Sequence, residues 1–294
     1  MKNSAQDRIF NLIIYTVLGL FLIILVYPLY FILIASFSDP NMVNSGRIVF
    51  YPRGITLIGY ERVLKDPNIL TGYRNTLLYT SIGTSLNIAV TLLAGYALSR
   101  KDLKGQGMIT KFMVLTMLVN GGIIPLYLVV KQLRLINTFG VMVLPSAVAV
   151  WNVIVARTFF SSTIPMELLE SAKVDGCSNT KFFLSVVLPL SPALIAVQVL
   201  FYGVAHWNSF FHALIFLSDP QRYPLQLILR QILLQNELSQ MMQGADPKEL
   251  MELQMLAESI KFALIIVASA PVMILYPFLQ RYFVKGVMIG AIKG

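Results

Sequence analysis

The sequence has little charge and almost no cysteine. Of its 294 residues only 13% are charged, whereas 56% are hydrophobic and the mean hydropathy is +0.72. A soluble domain of this length would need far more charge on its surface, so the composition excludes an ordinary soluble protein. The single Cys177 excludes an internal disulfide, and the two histidines, His206 and His212, show no spacing typical of a metal site.

A nucleotide-binding loop and clustered acids are also missing. The glycine-rich stretch Gly105-Gln106-Gly107 does not extend to the pattern Gly-x-x-x-x-Gly-Lys-Ser/Thr, so ATP has to bind elsewhere and we expect no cofactor in this chain. The 14 acidic residues are mostly scattered in loops, which argues against a polytopic membrane enzyme. Ionisable groups are almost absent at mid-span, which argues against a self-sufficient secondary transporter or channel.

Apolar residues fall in long runs, and runs of about 20 such residues can cross a bilayer as helices. They predict an all-α polytopic membrane protein in which residues 1–294 form a single transmembrane domain. Lys2 and Arg8 precede the first run, which is too long for the apolar part of a signal peptide, so we interpret it as a retained span. The six predicted spans cover about 9–37, 74–98, 108–130, 139–160, 184–209 and 260–283.

Six spans place both chain ends on one side of the membrane. Basic residues are nearly equal in number on the two sides, but with cytoplasmic ends most of the net charge of +9 falls inside. That asymmetry suits an anionic inner leaflet and needs no nucleic-acid partner. We therefore expect a multi-pass protein with both termini in the cytoplasm, a cytoplasmic loop at 161–183 and an outer loop at 210–259, with a helix around 225–240.

A short polar helix, a glycine break and a second short helix lie between the fourth and fifth spans. Pro165 suits a first helical turn, and Glu170 lies near the positive end of the helix dipole. Gly176 can adopt the left-handed conformation that ends a helix, and Ser178 or Asn179 can cap the next helix. Such a pair is a good docking element for a partner in the water phase, although the pattern alone also fits an ordinary amphipathic connector.

The residues Glu170-Ser171-Ala172, Asp175-Gly176 and Leu188-Pro189 resemble the signature loop of ABC importer permeases. The family's pattern is Glu-Ala-Ala, three residues, Gly, nine or so residues and an apolar-Leu-Pro ending, and the spacing here fits. Ser171 and Cys177 depart from it, because residues such as alanine are usual there, but both remain small. The place of the loop, between the fourth and fifth of six spans, also fits, so the resemblance covers nearly the whole chain.

A second resemblance narrows the subfamily. The last ten residues, 285–294, are similar to the tail of the second permease subunit of the maltose-type sugar importers. The stretch Tyr276-Pro277-Phe278-Leu279-Gln280-Arg281-Tyr282-Phe283 is typical of a polysaccharide and oligosaccharide branch, which includes the alginate oligosaccharide importer. The resemblance implies import across a bacterial inner membrane of an oligosaccharide, either acidic and alginate-like or neutral, or of another sugar or polyol.

The resemblance also implies how the chain works and with which partners. It implies a non-enzymatic transporter subunit that assembles with a second permease subunit, an extracytoplasmic solute-binding protein and an ATPase dimer, which binds ATP and Mg. In the family the loop helices seat in a groove of the ATPase, and closure of the ATPase dimer rocks the spans between outward and inward states. The residues that this resemblance implies in coupling are Glu170, Ala172, Asp175, Gly176, Leu188, Pro189, Gly290 and Lys293.

Polar and aromatic residues within the spans are candidates for a substrate path. A sugar needs aromatic platforms and hydrogen-bonding groups, and polar side chains inside a span face a cavity or a neighbouring helix. Helix–helix contacts and an interfacial aromatic belt remain open as alternatives. The path candidates are Asn120, Asn152, Gln198, Tyr202, His206, Trp207 and Asn208. In the long outer loop, the candidates for contact with the solute-binding protein are Arg222, Tyr223, Pro224 and Gln226.

Overall fold

The computed structural model describes residues 5–119, 121–241, 260–278 and 280. Within these ranges the chain is helical and contains no strand, which confirms the predicted all-α fold. The chain divides into two compact units, Met1–Pro67 with Leu229–Ala270 and Asn68–Ile228 with Pro271–Gly294. Residues 242–259 of the predicted outer loop and 281–283 of the predicted sixth span lie outside the described residues.

The first unit opens with one long apolar helix, α1 (Ala5–Ser36). From Asp7 onwards it has 30 residues and a mean hydropathy of 2.8, which is enough to cross a bilayer, and only 6% of its most apolar window is buried. Pro28 lies inside α1 without ending it. The hydroxyl of Thr16 donates to the Leu12 carbonyl at 2.8 Å, so this polar group is satisfied within the helix.

Two short helices follow α1 in the same unit, α2 (Pro40–Asn44) and α3 (Ile58–Lys65). Asp39 caps α2, because its carboxylate accepts from the Asn41 N–H at 2.8 Å. Tyr60 of α3 stacks on Phe37 with ring centroids 5.1 Å apart, and its hydroxyl lies 2.7 Å from Ser36 Oγ. These contacts fix α3 against the end of α1.

The second unit contains α4 (Pro67–Ser99), a second helix long and apolar enough to cross a membrane. Small and polar residues recur on one face of α4 at spacings of three and four residues, so they share that face. A Cβ atom at Gly95 would lie 2.6 Å from the Cβ of Ala156, so glycine lets the two segments approach closely. The buried small and polar residues of α4 are Gly72, Asn75, Thr76, Tyr79, Gly83, Thr84, Asn87, Thr91 and Gly95.

Shorter helices make up the rest of the described chain. They are α5 (Gln106–Leu118), α6 (Ile123–Gln132), α7 (Val150–Thr163), α8 (Met166–Val174), α9 (Asn179–Phe182), α10 (Pro192–Trp207), α11 (Phe211–Phe216), α12 (Leu225–Met241) and α13 (Ile260–Phe278). Phe139–Met142 and Pro220–Arg222 form 3-10 turns, and Phe183–Val187 forms a π-helical turn. The helix predicted around 225–240 is confirmed by α12.

The described residues do not confirm the predicted number of six spans. In the described ranges three single helices are long and apolar enough to cross a membrane, α1, α4 and α13, and the number rises to five if two bent pairs each form one span. Helices α5 and α6 meet at 114°, and the segment Asn179–Val187 meets α10 at 87°. The predicted fourth span, 139–160, is not one helix, because a non-helical stretch separates its 3-10 turn from α7.

That interruption is tolerable because side chains of other helices satisfy its backbone. Pro145 has no N–H and cannot continue a helical ladder. The side-chain amide of Asn87 donates to the carbonyl of Ser146, and the N–H of Ala149 donates to the hydroxyl of Tyr202 at 3.3 Å. An unpaired backbone group inside a bilayer costs about several kcal/mol, so such contacts decide where irregular backbone can lie.

Candidate functional site

The loop at residues 161–183, which we name the coupling loop after its predicted role, has a turn of the geometry that the sequence predicts. Asp175 is the C-cap of α8, and Gly176 follows it with φ of +71°. The N–H of Cys177 donates to the Ala172 carbonyl at 2.8 Å, and that of Gly176 to the Lys173 carbonyl at 3.0 Å. These two bonds form a Schellman motif, in which glycine avoids backbone strain. The left-handed turn predicted at Gly176 is therefore confirmed.

The caps on either side of this turn differ slightly from the prediction. Pro165 lies one residue before α8, as its N-cap in extended conformation, rather than in its first turn. Ser178 caps α9, because its hydroxyl accepts from the Lys181 N–H at 3.2 Å. The end of α8 and the start of α9 are thus fixed by bonds between near neighbours in sequence.

The exit from the coupling loop is a tight bend into α10. The N–H of Leu188 donates to the Phe183 carbonyl at 3.0 Å, which closes the π-helical turn. Pro189 follows and is exposed, and Ser191 Oγ donates to the Val187 carbonyl at 2.7 Å. Leu188 is half-buried against the apolar cluster described next. The pair Leu188 and Pro189 therefore lies at the joint between the coupling loop and α10.

Helix α8 has one buried face and one exposed face. Leu169 is buried in an apolar cluster with Phe160 of α7 and Phe182 of α9. Glu170 and Val174, one helical turn apart, are both exposed, and Val174 keeps 89% of its accessible surface. This exposed face combines a carboxylate with an apolar side chain that nothing in the described chain covers.

The apolar cluster continues from the coupling loop into the longer helices. It also includes Leu92 of α4, Ala156 of α7, Val187 of the π turn and Leu194 of α10. The ring of Tyr96 from α4 lies between Phe160 and Phe183, with centroids 6.0 and 5.1 Å away. The loop is thus packed against the helices that it joins, and it is not a free surface segment.

A polar tether, which the sequence alone does not reveal, joins the α4–α5 turn to both loop helices. Arg100 donates to the carboxylate of Asp102 and, at 2.9 Å, to the side-chain oxygen of Asn179 at the start of α9. Lys173 of α8 places its Nζ 3.6 Å from Asp102 Oδ2. The available signal was the single acid, Asp102, within the basic stretch that contains Arg100 and Lys101.

The tether is charged under ordinary conditions. The hydrogen bond from Arg100 holds the pKa of Asp102 down at about 2, and the charges of Arg100 and Lys173 act in the same direction. The same hydrogen bond raises the pKa of Arg100 above its ordinary value. Both partners therefore stay ionised at neutral pH.

Several substrate-path candidates come together at one cavity of about 360 Å³, which we name the path cavity. It lies beside the end of α10, the irregular stretch before α7 and the start of α11. The lining residues are Ser146, Ala149, Asn152, Phe201, Tyr202, Ala205, His206, Asn208, Ser209, Phe210, Phe211 and His212. Asn152, Tyr202, His206 and Asn208 were predicted, whereas Ser209 and the neighbouring phenylalanines were not.

The same side chains also hold helices together. The Nε2 atom of His206 lies 2.8 Å from Asn87 Oδ1, and the Tyr202 hydroxyl lies 2.7 Å from Thr91 Oγ1. Both partners are on the buried face of α4. Path lining and helix packing are therefore compatible for Tyr202 and His206, and the sequence had offered them as alternatives.

The three other path candidates are not among the described residues that line the path cavity. Gln198 is fully buried away from the cavity, and its amide donates to the Asn152 carbonyl at 3.2 Å. Trp207 packs edge-on against Tyr73 with centroids 6.0 Å apart, and it does not line the cavity. Asn120 lies outside the described residues, as do the coupling candidates Gly290 and Lys293. Their roles stay predictions.

The candidates for contact with a binding protein lie in the segment before α12. Their backbone is held by α4, because Asn75 donates to the carbonyls of Gln221 at 2.8 Å and Tyr223 at 3.1 Å, and Tyr79 donates to that of Arg222 at 2.9 Å.

The side chains of this segment differ in exposure. Arg222 is exposed, Tyr223 and Gln226 are half-buried and Pro224 is buried, so Arg222 offers the most accessible side chain. Contact with a binding protein stays a prediction for all four.

The chain is similar to known proteins over nearly its whole length. Residues 1–289 match the family described as binding-protein-dependent transport system inner membrane component. Protein LplC of Bacillus subtilis (strain 168) is 36% identical over 298 residues, covering 100% of this chain and 98% of that protein. The polygalacturonan/rhamnogalacturonan transport system permease protein YtcP of the same strain is 37% identical over 294 residues, covering 98% of this chain and 100% of that protein.

A solved structure resembles the fold over nearly the whole chain. It is the crystal structure of a bacterial ABC transporter involved in the import of the acidic polysaccharide alginate. The matched chain has a TM-score of 0.85 and 28% sequence identity, and the match covers 96% of this chain and 99% of that one. The resemblance predicted from the coupling loop and the C-terminal stretch is confirmed.

Proposed function

The chain belongs to the family of binding-protein-dependent transport system inner membrane components, and from that premise we propose how it couples ATP to transport and which sugars it moves. It is a permease of the ABC sugar importer type, and a multi-pass membrane protein. In the proposal it pairs with a second permease subunit and alternates between outward and inward states. A separate ATPase dimer supplies ATP and Mg, a solute-binding protein delivers the sugar, and both termini are cytoplasmic.

The observation that carries the coupling proposal is the exposed face of α8. A carboxylate and an uncovered apolar side chain, Glu170 and Val174, stand on a helix whose other face is fixed by Leu169 in the apolar cluster. The Schellman turn and the tether from Arg100 and Asp102 hold that helix in place. A rigid, partly apolar face with one charge suits a groove on a soluble partner. We propose that the partner is the ATPase.

The apolar cluster gives a route from this face to the path cavity. In the proposal, a displacement of α8 is transmitted to Phe160 and Phe182, which pack against it. The same cluster includes Leu92 of α4, Ala156 of α7 and Leu194 of α10, so these helices move with α8. The far end of α10 carries Tyr202 and His206, which line the cavity. In the proposal, ATPase closure therefore moves the cavity wall as a packed body.

A charge reversal tests the docking face. In proteoliposomes containing the complete importer, Glu170→Lys should uncouple or prevent assembly, so that substrate-stimulated uptake falls at least tenfold. Glu61→Lys, the same reversal at an exposed side chain of α3, is the matched control and should keep uptake within twofold. Equal uptake in both variants would refute docking through α8. Vesicles with this chain alone should show no ATP-driven uptake.

Cysteine labelling tests the proposed orientation. In a Cys177→Ser background, Gln221→Cys should react with an impermeant thiol reagent in intact cells, after the outer membrane is opened if there is one. Lys104→Cys, which is also exposed, should react only in inverted vesicles. The opposite pattern would reverse the topology.

For the substrate we propose an oligosaccharide, with an acidic sugar tested first and a neutral one as the alternative. The names of one relative and of the solved neighbour refer to polygalacturonan, rhamnogalacturonan and the acidic polysaccharide alginate. None of the twelve residues described as lining the path cavity is Lys, Arg, Asp or Glu. Its aromatic rings and uncharged polar groups suit sugar faces and hydroxyls, which neutral and acidic oligosaccharides share. In the proposal, a cation that recognises a uronate carboxylate comes from the second permease.

Uptake of matched sugars tests this assignment. Asn208→Ala, which removes an exposed amide from the cavity wall, should slow uptake of neutral and uronate oligosaccharides of equal length by a similar, several-fold factor. The affinity of the solute-binding protein for each sugar is the control and should not change. Selective loss of the uronate alone would contradict an uncharged wall that recognises hydroxyls.

A further inference from the structure

A second cavity lies on the coupling-loop side of the same unit. It has a volume of about 460 Å³ and lies between the end of α4, the start of α5, the end of α7 and the start of α8. Its charged lining residues are Arg100, Lys101, Arg157 and Glu167, and its apolar lining includes Tyr96, Phe160, Ile164, Met166, Leu169 and Phe182.

One guanidinium nitrogen of Arg157 makes a hydrogen bond that orients the side chain, and the other two are available to a ligand. Its Nε atom donates to the Leu98 carbonyl at 3.1 Å, and the amide of Gln106 donates to the same carbonyl at 2.5 Å. The two terminal guanidinium nitrogens of Arg157 have no hydrogen-bond or ion-pair partner among the described residues. A guanidinium that is held at one nitrogen and free at the other two is suited to bidentate binding of a phosphate.

The other charges of the cavity do not neutralise one another. Arg100 is engaged by Asp102, whereas Lys101 and Glu167 form no ion pair with any residue that the structure describes. Two cations and one carboxylate therefore surround one space without pairing. Unlike charges arranged in this way are complementary to a ligand that carries both a phosphate and an amine.

We propose that this cavity binds the headgroup of an amine-bearing phospholipid, with the phosphate on Arg157 and Lys101 and the ammonium on Glu167. A lipid fits better than a soluble phosphoamine, because α4 is long and apolar enough to cross a membrane and ends at Ser99 beside the cavity. The side chains of Phe160, Ile164 and Met166 give the glycerol and first acyl carbons an apolar wall. That the leaflet is the cytoplasmic one rests on the proposed function.

Lipid titration of the assembled, delipidated importer in detergent tests the site. Native mass spectrometry would count bound phosphatidylethanolamine and phosphatidylglycerol at increasing lipid. Arg157→Gln should weaken binding of both lipids about tenfold, since it removes a charge-assisted phosphate contact. Glu167→Gln should weaken phosphatidylethanolamine several-fold and leave phosphatidylglycerol equal or stronger. Lys104→Gln, in the same turn but outside the cavity lining, is the matched control and should change neither.

A substitute variant and two soluble competitors complete the experiment. If Arg157→Gln assembles poorly, Lys101→Gln replaces it, with an expected loss of about threefold in binding of both lipids. Inorganic phosphate and glycerophosphoethanolamine at the lipid concentration should not displace the lipid, and displacement by either would overturn the lipid assignment. Equal lipid binding by the cavity variants and Lys104→Gln would overturn the site. Because binding is measured without ATP or sugar, its failure is distinguishable from a failure of transport.

Discussion

The turn within the coupling loop and the wall of the path cavity are fixed by hydrogen bonds of very different reach along the chain. In the coupling loop, Cys177 bonds to Ala172 and Lys181 to Ser178, five and three residues away. At the cavity wall, His206 meets Asn87 and Tyr202 meets Thr91, at separations of 119 and 111 residues. A locally bonded turn keeps its shape while it is moved, whereas the cavity wall keeps its shape only while α4 and α10 move together. The first suits a docking face and the second suits a moving wall.

The largest effect is expected from breaking the local element. Gly176→Val places a branched side chain at φ of +71°, which costs about 1–2 kcal/mol and tilts α9 away from α8. Uptake by the reconstituted importer should fall at least tenfold. Gly46→Val is the matched control, because Gly46 has φ of +68° and open space around it, as Gly176 does.

The control separates strain from coupling. Gly46→Val should lower thermal stability by a similar amount and leave uptake per assembled complex within twofold. A similar loss of uptake in both variants would mean that backbone strain at any position impairs transport, which would contradict a specific role of the coupling loop.

The next largest effect is expected at the long-range contact between α4 and α10. A Cβ atom at Gly83 would lie 2.5 Å from the ring of His206, whereas one at Gly203 would lie 3.9 Å from its nearest neighbour. Gly83→Ala should therefore destabilise the complex by about 1–3 kcal/mol by overpacking. Thermal unfolding in detergent should show this loss, and Gly203→Ala should stay close to wild type.

A double variant tests the cause of that loss. His206→Ala removes the ring that the new methyl group would meet, so Gly83→Ala should cost much less in that background. The same cost in both backgrounds would show that α4 itself, rather than its contact with α10, is disturbed.

A smaller effect is expected from one hydroxyl. Tyr202→Phe keeps the ring but removes the contacts with Thr91 and the Ala149 N–H. Each lost hydrogen bond is worth about 0.5–1.5 kcal/mol, so uptake should slow several-fold while assembly persists. Tyr276→Phe, at an exposed ring of α13, is the control and should match wild type. Wild-type uptake for Tyr202→Phe would leave the hydroxyl without a part in the moving wall.

The smallest effect concerns the tether and pH. The pKa of Asp102 is lowered to about 2 in the folded protein, so its stabilising contribution is complete above the unfolded pKa of about 3.9 and is lost as pH falls towards 2. Its carboxylate is 41% exposed, so the contribution is at most about 1 kcal/mol. Chemical denaturation of wild type and Asp102→Asn should show a constant difference from pH 8 to pH 5 that shrinks below about pH 4. A difference that disappears between pH 7 and pH 6 would point to another group.

The same difference in reach decides what the sequence could predict. The caps at Ser178 and Gly176 depend on a few neighbouring residues, so their geometry was readable in advance. The all-helical fold followed from apolar runs of span length. Pro145 is a local signal for the break within residues 139–160. The extent of the break was not predictable, because its backbone is satisfied by Asn87 and Tyr202, which are distant in sequence.

The polar residues on α4 illustrate the remaining gap. Asn87 and Thr91 were not chosen as site residues, although they stand four apart in an apolar helix, where a polar pair signals a partner. The tether residues Arg100 and Asp102 were not chosen either, since nothing local indicates that Asn179 is near. A sequence shows which polar groups need partners, and the fold supplies the partners.

The hydrogen bonds from α4 to the main chain of residues 221–225 have a consequence for how such importers diversify. Asn75 and Tyr79 hold carbonyl oxygens, and Thr76 accepts from the Leu225 N–H at 2.8 Å, so the segment is held by its main chain. Main-chain groups are the same in nearly every amino acid. Arg222 also ties its side chain to Asp219 and to the Asn137 carbonyl, so it is part of this scaffold. An exposed side chain such as that of Gln221 can be exchanged without loss of the segment's shape. In the proposed function, such substitutions would refit one scaffold to different delivery proteins.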